Sequence, residues 1–283
     1  MTRSRRSSPT SGPCPPRPRL RRRGTLTGLV GVLLVAATAI PAAWTRPLGS
    51  IETRGAISVC AHPNALPFAS RKDDPSGFQI EFARAIAGQL GVALDTAWVV
   101  SPVQYRSAEC DIIMDMIVDE QVQAEGHVRV SRPYHHSGVA LALPKGTDGG
   151  SSFRDLDRKK RIGVQVGSLA QMILGQRGQQ TTPFGFEDEM LEALAAGTID
   201  GAAASPAAIA YFNLRHPGQS VRLVYAYDQE PELSWNVAVG MRGSDASLRQ
   251  KIDGVIDRIL ADGIIRDIYA RYGVEHRPPS NSR

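Results

Sequence analysis

The sequence predicts an α/β protein in two lobes, the second inserted into the first through two crossing strands. Three observations carry this. Short apolar runs alternate with helix-period stripes in two successive blocks, the signature of strands feeding helices. A Gly/Ser/Asp-rich break at 146–152 separates the blocks. Two long apolar strands, 138–144 and 233–241, bracket the second block, and a long amphipathic helix follows the second of them. The boundaries read as 55–142 and 236–275 for the first lobe and 143–235 for the second, within a chain of 283 residues.

The opening unit organises the first lobe. Residues 57–60 form a buried strand, and a Pro/Asn/Gly-punctuated loop containing Asn64 and Phe68 leads to a helix opened by Gly77 and Phe78. Ile80, Phe82, Ala83, Ile86, Ala87 and Leu90 keep one stripe of that helix. Such a loop leaves the carboxyl edge of the sheet, where ligands collect. Phe68 and Phe78 are therefore either aromatic cleft walls or core residues.

A strand at 92–100 follows, then a connection at 101–109 with room for two helical turns at most. A strand at 111–114 ends in an acidic stretch with Asp115, Asp119 and Glu120. These acids either edge the cleft or form a solvated loop.

In the second block, 161–166 is a strand, and Gly167 and Ser168 start a helix through about Leu174. Residues 176–182 read as polar linker and 184–186 as extended. Glu187, Asp188 and Glu189 open a helix over 190–196 and suit the positive end of its dipole. The strand 199–204, a helix over 206–214 and a strand at 221–226 complete the lobe. After the second crossing strand, Asp245 caps a helix with the stripe Leu248, Ile252, Val255, Ile256, Ile259 and Leu260, stopped by Gly263. A short helix over 264–272 ends the body, and the tail, 276–283, reads as mobile.

Composition bounds the function. Eight of the 33 basic residues lie within 1–43, a stretch without acids, which leaves 25 against 28 acids over 44–283, a net of −3. The folded part lacks the basic excess that nucleic-acid binding wants. Residues 1–43 carry arginines, an uncharged run over 24–43 and small residues at its end, the layout of an export signal. An uncleaved membrane anchor is the alternative, and 44–54 reads as linker. Cys14 falls in the leader. Cys60 and Cys110, each at the edge of an apolar run, are either bridged, as an oxidising compartment permits, or two buried thiols.

No nucleophile–base pair, metal spacing or phosphate loop stands out, so the expectation is a non-enzymatic protein without metal or cofactor. His135 and His136 are adjacent and, in a strand, face opposite sides. The turn at Gly167–Ser168 offers backbone donors to an anion at a helix start.

The runs ISVCAHPNALPFASRK with GFQIEFARAIAGQLG, CDIIMD, SRPYHHSGVALAL, KRIGVQVGSLAQMIL and AAGTIDGAAASPAAIAYF, in this order, resemble the family 3 extracellular solute-binding proteins. These are periplasmic receptors of ABC importers for amino acids and related solutes. The resemblance implies the two-lobed, type II periplasmic-binding-protein fold, and it spans about 57–274. Val59 to Ala69, Cys110 to Met114, and Arg132 to Tyr134 are more closely similar to the subgroup encoded beside quinoprotein (PQQ) methanol dehydrogenases, the J component of methanol-oxidation clusters. That likeness implies a methanol dehydrogenase or its cytochrome c as partner; the broader one implies an importer membrane subunit. It also implies a ligand cleft that takes in Asn64, Phe68, Phe78, Asp115, Tyr134, Gly167, Ser168 and Ser205.

Two departures matter. Amino-acid binders carry T-x-E-R, whose arginine clamps the ligand carboxylate; residues 119–127 hold no arginine. Where they place an acid for the ligand ammonium, this chain has Ser205-Pro206. A standard α-amino acid would leave both charged ends unpaired at a cost of several kcal/mol in a desolvated site. An enzyme on the same fold, a dehydratase or the regulatory lobe of a cell-wall lyase, is the remaining expectation.

Overall fold

The computed structural model describes residues 47–126 and 128–280. The export-signal expectation for 1–43 lies outside the described residues. No helix among them is long and apolar enough to cross a membrane.

The first lobe opens with α1 (Leu48–Arg54), β1 (Ala56–Ala61), the short pair β2 (Asn64–Ala65) and β3 (Ala69–Ser70), and α2 (Phe78–Leu90). It continues through β4 (Ala93–Trp98), α3 (Pro102–Ser107), β5 (Ile112–Ile117), α4 (Glu120–Gly126), β6 (Val128–Val130) and β7 (His135–Gly138). The second contains β8 (Ala140–Leu143), β9 (Ile162–Gln165), α5 (Leu169–Gln176), β10 (Thr181–Phe184), α6 (Glu187–Ala195), β11 (Gly201–Ala204), α7 (Pro206–Arg215) and β12 (Arg222–Val224). The chain returns along β13 (Ser234–Arg242) and closes with α8 (Ala246–Ala261) and α9 (Ile264–Arg271).

The strands make two main sheets. In the first the order is β4-β1-β5-β13-β6, with β7 also on β13; in the second it is β10-β9-β11-β8-β12. Each has a parallel centre, β4-β1-β5 and β10-β9-β11, and antiparallel strands beside it. Each also has its own core. Ile57, Phe82, Ile112 and the α8 stripe fill one; Leu141, Ile162, Met190 and Ile209 fill the other. The predicted two-lobed α/β class is the observed one.

Several local readings change. Residues 48–54 are helix, not linker: Arg54 crosses to the buried Asp111 carboxylate at 2.6 Å and pins α1 to the sheet. The stretch after 114 is part strand, since β5 runs on through Asp115 to Ile117, while Asp119 and Glu120 are exposed at the start of α4. Residues 181–184 are strand, despite Pro183; β10 is an edge strand, where a missing N–H is tolerated. The first crossing comes earlier than residue 142, since β8 already pairs with β11 and β12. The tail is tied down as far as Ser280. His136 N–H donates to the Arg277 carbonyl (2.9 Å), and Asn236 exchanges two hydrogen bonds with Ser280 (2.8 and 2.9 Å).

Cys60 and Cys110 are disulfide-bonded with Cα atoms 5.5 Å apart, which settles the alternative in favour of the bridge. Cys60 lies in β1 and Cys110 just before β5, adjacent strands of one sheet, so the bond closes a loop with a sequence separation of 50 residues. Replacing both cysteines with serine is expected to lower unfolding free energy by roughly 2–4 kcal/mol, measured by urea denaturation of the oxidised protein and the variant.

Candidate functional site

The carboxyl ends of β1 and β5 and the start of α7 meet over a cleft with two compartments. The inner one is a cavity of about 240 Å³ whose lining includes Phe68, Phe78, Asp115, Trp235 and Tyr269 from the first lobe and Ser205 from the second. The outer one is a wider groove of about 1010 Å³, lined by His62, Asn64, Phe186, Glu187, Ser205 and Arg215 among others.

The aromatic wall follows from the opening loop. Phe78 N–H donates to the Pro67 carbonyl (2.9 Å) and Gln79 N–H to that of Phe68 (2.9 Å), folding the loop back against the helix start. Gly77 sits at φ 91°, and a Cβ there would lie 2.4 Å from Phe68 O, so the close approach requires glycine. Phe68 and Phe78 then pack with centroids 5.1 Å apart, and Phe78 meets Tyr269 at 4.7 Å. Both readings of Phe78 hold at once: it is 3% exposed and still faces the cavity.

Asp115 is placed by a bulge. Between the pairs Met116–Ala238 and Ile113–Gly240, β5 sets two residues against Val239 alone. Asp115 takes φ 53°, a left-handed conformation that a residue with a Cβ rarely adopts. Such bulges re-aim a side chain next to a site. The hydroxyl of Tyr134 accepts the Asp115 N–H (2.8 Å) and donates to Asp115 Oδ1 (2.7 Å); Gln79 Nε2 donates to Oδ2 (2.6 Å). Burial pushes the Asp115 carboxyl up, and the hydrogen bonds from Gln79 and Tyr134 oppose that. Tyr134 is fully buried, against Phe82 at 4.8 Å. It therefore does not meet a ligand as expected; it positions Asp115.

Ser205 caps α7, its hydroxyl accepting the Ala208 N–H at 3.1 Å. Its own N–H and Oγ–H both donate to the Glu187 carboxylate, at 2.6 and 2.7 Å. Glu187 was expected only as a helix-start charge. It does stand in the first turn of α6, and it is also the acid beside Ser205, where the family's amino-acid binders keep one; burial raises its pKa. No pattern in the sequence marks it apart from Asp188 and Glu189.

The Gly167–Ser168 turn is not an anion site. The Gly167 N–H donates to Gln171 Oε1 (2.7 Å) and the Ser168 N–H to Gln165 O (3.1 Å), and neither residue lines the cavity or the groove. The Gln171 side chain, one turn on, folds back over the helix start and takes the Gly167 donor, while the Ser168 donor is used by the backbone. Asn64 stands at the rim of the outer groove. Among the described residues no group of three His, Cys, Asp or Glu side chains is placed to hold a metal.

The pattern that defines the bacterial extracellular solute-binding proteins, family 3, matches residues 57–275. The chain belongs to that family. Membrane-bound lytic murein transglycosylase F of Desulfosudis oleivorans is 28% identical over 272 residues, covering 88% of this chain. The chain spans only 57% of that relative's length. Among solved structures, an ancestral cationic amino acid solute-binding protein superposes with a TM-score of 0.68 at 21% identity, covering 80% of this chain and 98% of that one. The periplasmic binding protein XoxJ from Methylobacterium extorquens AM1 gives 0.63 at 21%, covering 78% and 99%. At that identity the two structures show the shared fold alone.

In this family 3 protein His135 closes one side of the cavity. Its ring lies 5.0 Å from Tyr269 and 5.5 Å from His276, and burial, then the charge of His276, lowers its pKa from 6.5 to about 3. The unfolded chain therefore takes up this proton first, and the His135 contribution to stability falls as pH drops from 6.5 towards 3. Wild type is expected to lose up to about 1.4 kcal/mol per pH unit across that window relative to His135→Gln, measured by denaturant unfolding between pH 4 and 7.

Proposed function

We propose that the chain is an exported, non-enzymatic binding protein that serves a PQQ-dependent methanol dehydrogenase system in the periplasm as an accessory or assembly partner, meeting the dehydrogenase or its cytochrome c. One observation carries this reading: the three segments similar to the dehydrogenase-associated subgroup are tied to one another in the first lobe, next to the cleft residues Phe68 and Asp115. The disulfide joins the first, at Cys60, to the second, at Cys110; Asp115, directly after the second, is held by Tyr134 of the third. The fold shared with XoxJ is consistent with it. The chain, carrying an affinity tag and exported in a methanol-oxidising host, is expected to co-elute with the dehydrogenase or its cytochrome. Absence of both from the eluate, with tight binding of a free solute, overturns the proposal.

The second reading is a transport receptor for a small polar solute other than a standard α-amino acid, docking on an ABC importer membrane subunit. The cavity favours it, because residues of both lobes close around a space of small-ligand size. A thermal-shift screen separates the two. A transport receptor gains stability with one compound by mass action, about 2.7 kcal/mol at a hundredfold excess over Kd.

A further inference from the structure

The inner cavity has a charge inventory unlike that of an amino-acid site. Its titratable lining groups are Asp115, His135 and Tyr269. Burial lowers the His135 pKa to about 3 and raises that of Tyr269 well above its ordinary value, so both are neutral at pH 7. Among the described residues no lysine or arginine lines the space. The two partners of the Asp115 carboxylate, the Gln79 amide and the Tyr134 hydroxyl, are neutral donors, and no cation stabilises its charge.

Burial raises the Asp115 pKa, and its two neutral donors leave the carboxyl without a counter-charge, so a cation entering the cavity would favour its ionised form. The rest of the wall answers the same ligand chemistry. Phe68, Phe78, Trp235 and Tyr269 present ring surface around the space, and such surfaces attract organic cations. The volume, about 240 Å³, lies below the range for drug-sized ligands.

We infer that this cavity binds a small alkylammonium group, with Asp115 as its counter-charge and the aromatic rings as its walls. The inference rests on the cleft being a ligand site, as proposed above, and names the chemistry it accepts. A free amine or a lysine side chain supplied by a partner protein carries the same group. An anion is rejected: no cationic side chain among the described lining residues pairs with it, and Asp115 repels it.

The test titrates the full exported chain with n-butylammonium chloride, 1-butanol and sodium butanoate, followed by calorimetry and thermal shift. Saturable binding of n-butylammonium alone is expected. Asp115→Asn, which keeps the side chain's size and is checked for native circular dichroism, should weaken it by at least about tenfold. Trp235→Leu should weaken n-butylammonium binding while butanoate stays excluded. Butanoate or butanol binding as well as the ammonium ion, or undiminished affinity in a folded Asp115→Asn, overturns the inference, as does no binding of n-butylammonium at all. Co-elution of the dehydrogenase in that last case would leave the functional proposal standing. The two sources also separate: n-butylammonium that displaces a co-eluting partner points to the partner's lysine, and binding without displacement to a free amine.

Discussion

Both lobes hang on one antiparallel pairing, Ser234–Gly138 through Val237–His135. On one side of it β13 runs into the first sheet; on the other, β7 passes through Val139 into β8 and the second. The crossing is tight. A Cβ on Gly138 would lie 2.3 Å from the Leu233 carbonyl oxygen and 2.6 Å from the Tyr227 Cβ, so only glycine lets these backbones and the buried tyrosine share the space. The C-terminal segment then crosses the same strands. Arg277 reaches from the first lobe's end to fork onto Asp228 at 2.8 and 2.9 Å, with its guanidinium 4.6 Å from the centre of the Tyr225 ring. The hinge is thus braced by a strap, and the cavity lies directly beside it, since His135, Gly138 and Trp235 line the cavity and form the crossing.

That adjacency explains why the site's central residue is strained. The β5 bulge falls opposite Val239, between the stretch of β13 that pairs with β7 (234–237) and the stretch that pairs with β6 (240–242), and Asp115 takes its left-handed conformation there. A left-handed residue with a Cβ costs on the order of 1–3 kcal/mol and persists where surrounding structure over-determines it. Here the Tyr134 hydroxyl does so, holding both the backbone N–H and the carboxylate of the same residue. Tyr134 is itself immobilised by the core, so the geometry of the cleft acid is transmitted from the packing of α2.

The long elements were legible because their burial imposes a period. The α8 stripe, the α2 stripe and the two crossing strands each repeat an apolar pattern over enough residues to exclude alternatives. What the sequence concealed is short or polar. α1 has one buried residue, Ile51; β10 is an edge strand carrying a proline; and the tail is held by polar contacts, backbone carbonyls with the Asn236 and Arg277 side chains, that leave no periodic pattern. The candidate site was legible in part for the same reason. Phe68 and Phe78 stand out as aromatics on a sheet-edge loop. Asp115 looked like one of several solvated acids because a bulge leaves no periodic trace. Trp235 and Tyr269, which complete the wall, carry nothing that sets them apart within the second crossing strand and the last helix. Glu187 is distinguished from its two acidic neighbours only by the direction in which the first turn of α6 points.

The rearranged charges decide what the cleft can hold. In the family's amino-acid binders an arginine on the first lobe clamps the carboxylate and an acid on the second meets the ammonium. Here the first lobe presents Asp115, so a ligand carboxylate about 4 Å away would be repelled by about 4 kcal/mol at an effective dielectric near 20. Turning the ligand round puts its ammonium on Asp115 and its carboxylate at Ser205, but both Ser205 donors already serve Glu187, itself an anion. Arg215, which lines the outer groove, ends α7, about 15 Å along the helix from Ser205. Neither orientation of a zwitterion therefore satisfies both of its ends, and the polarity of the site follows from two positions, 115 and 187, that the chain pattern alone would have assigned to solvent.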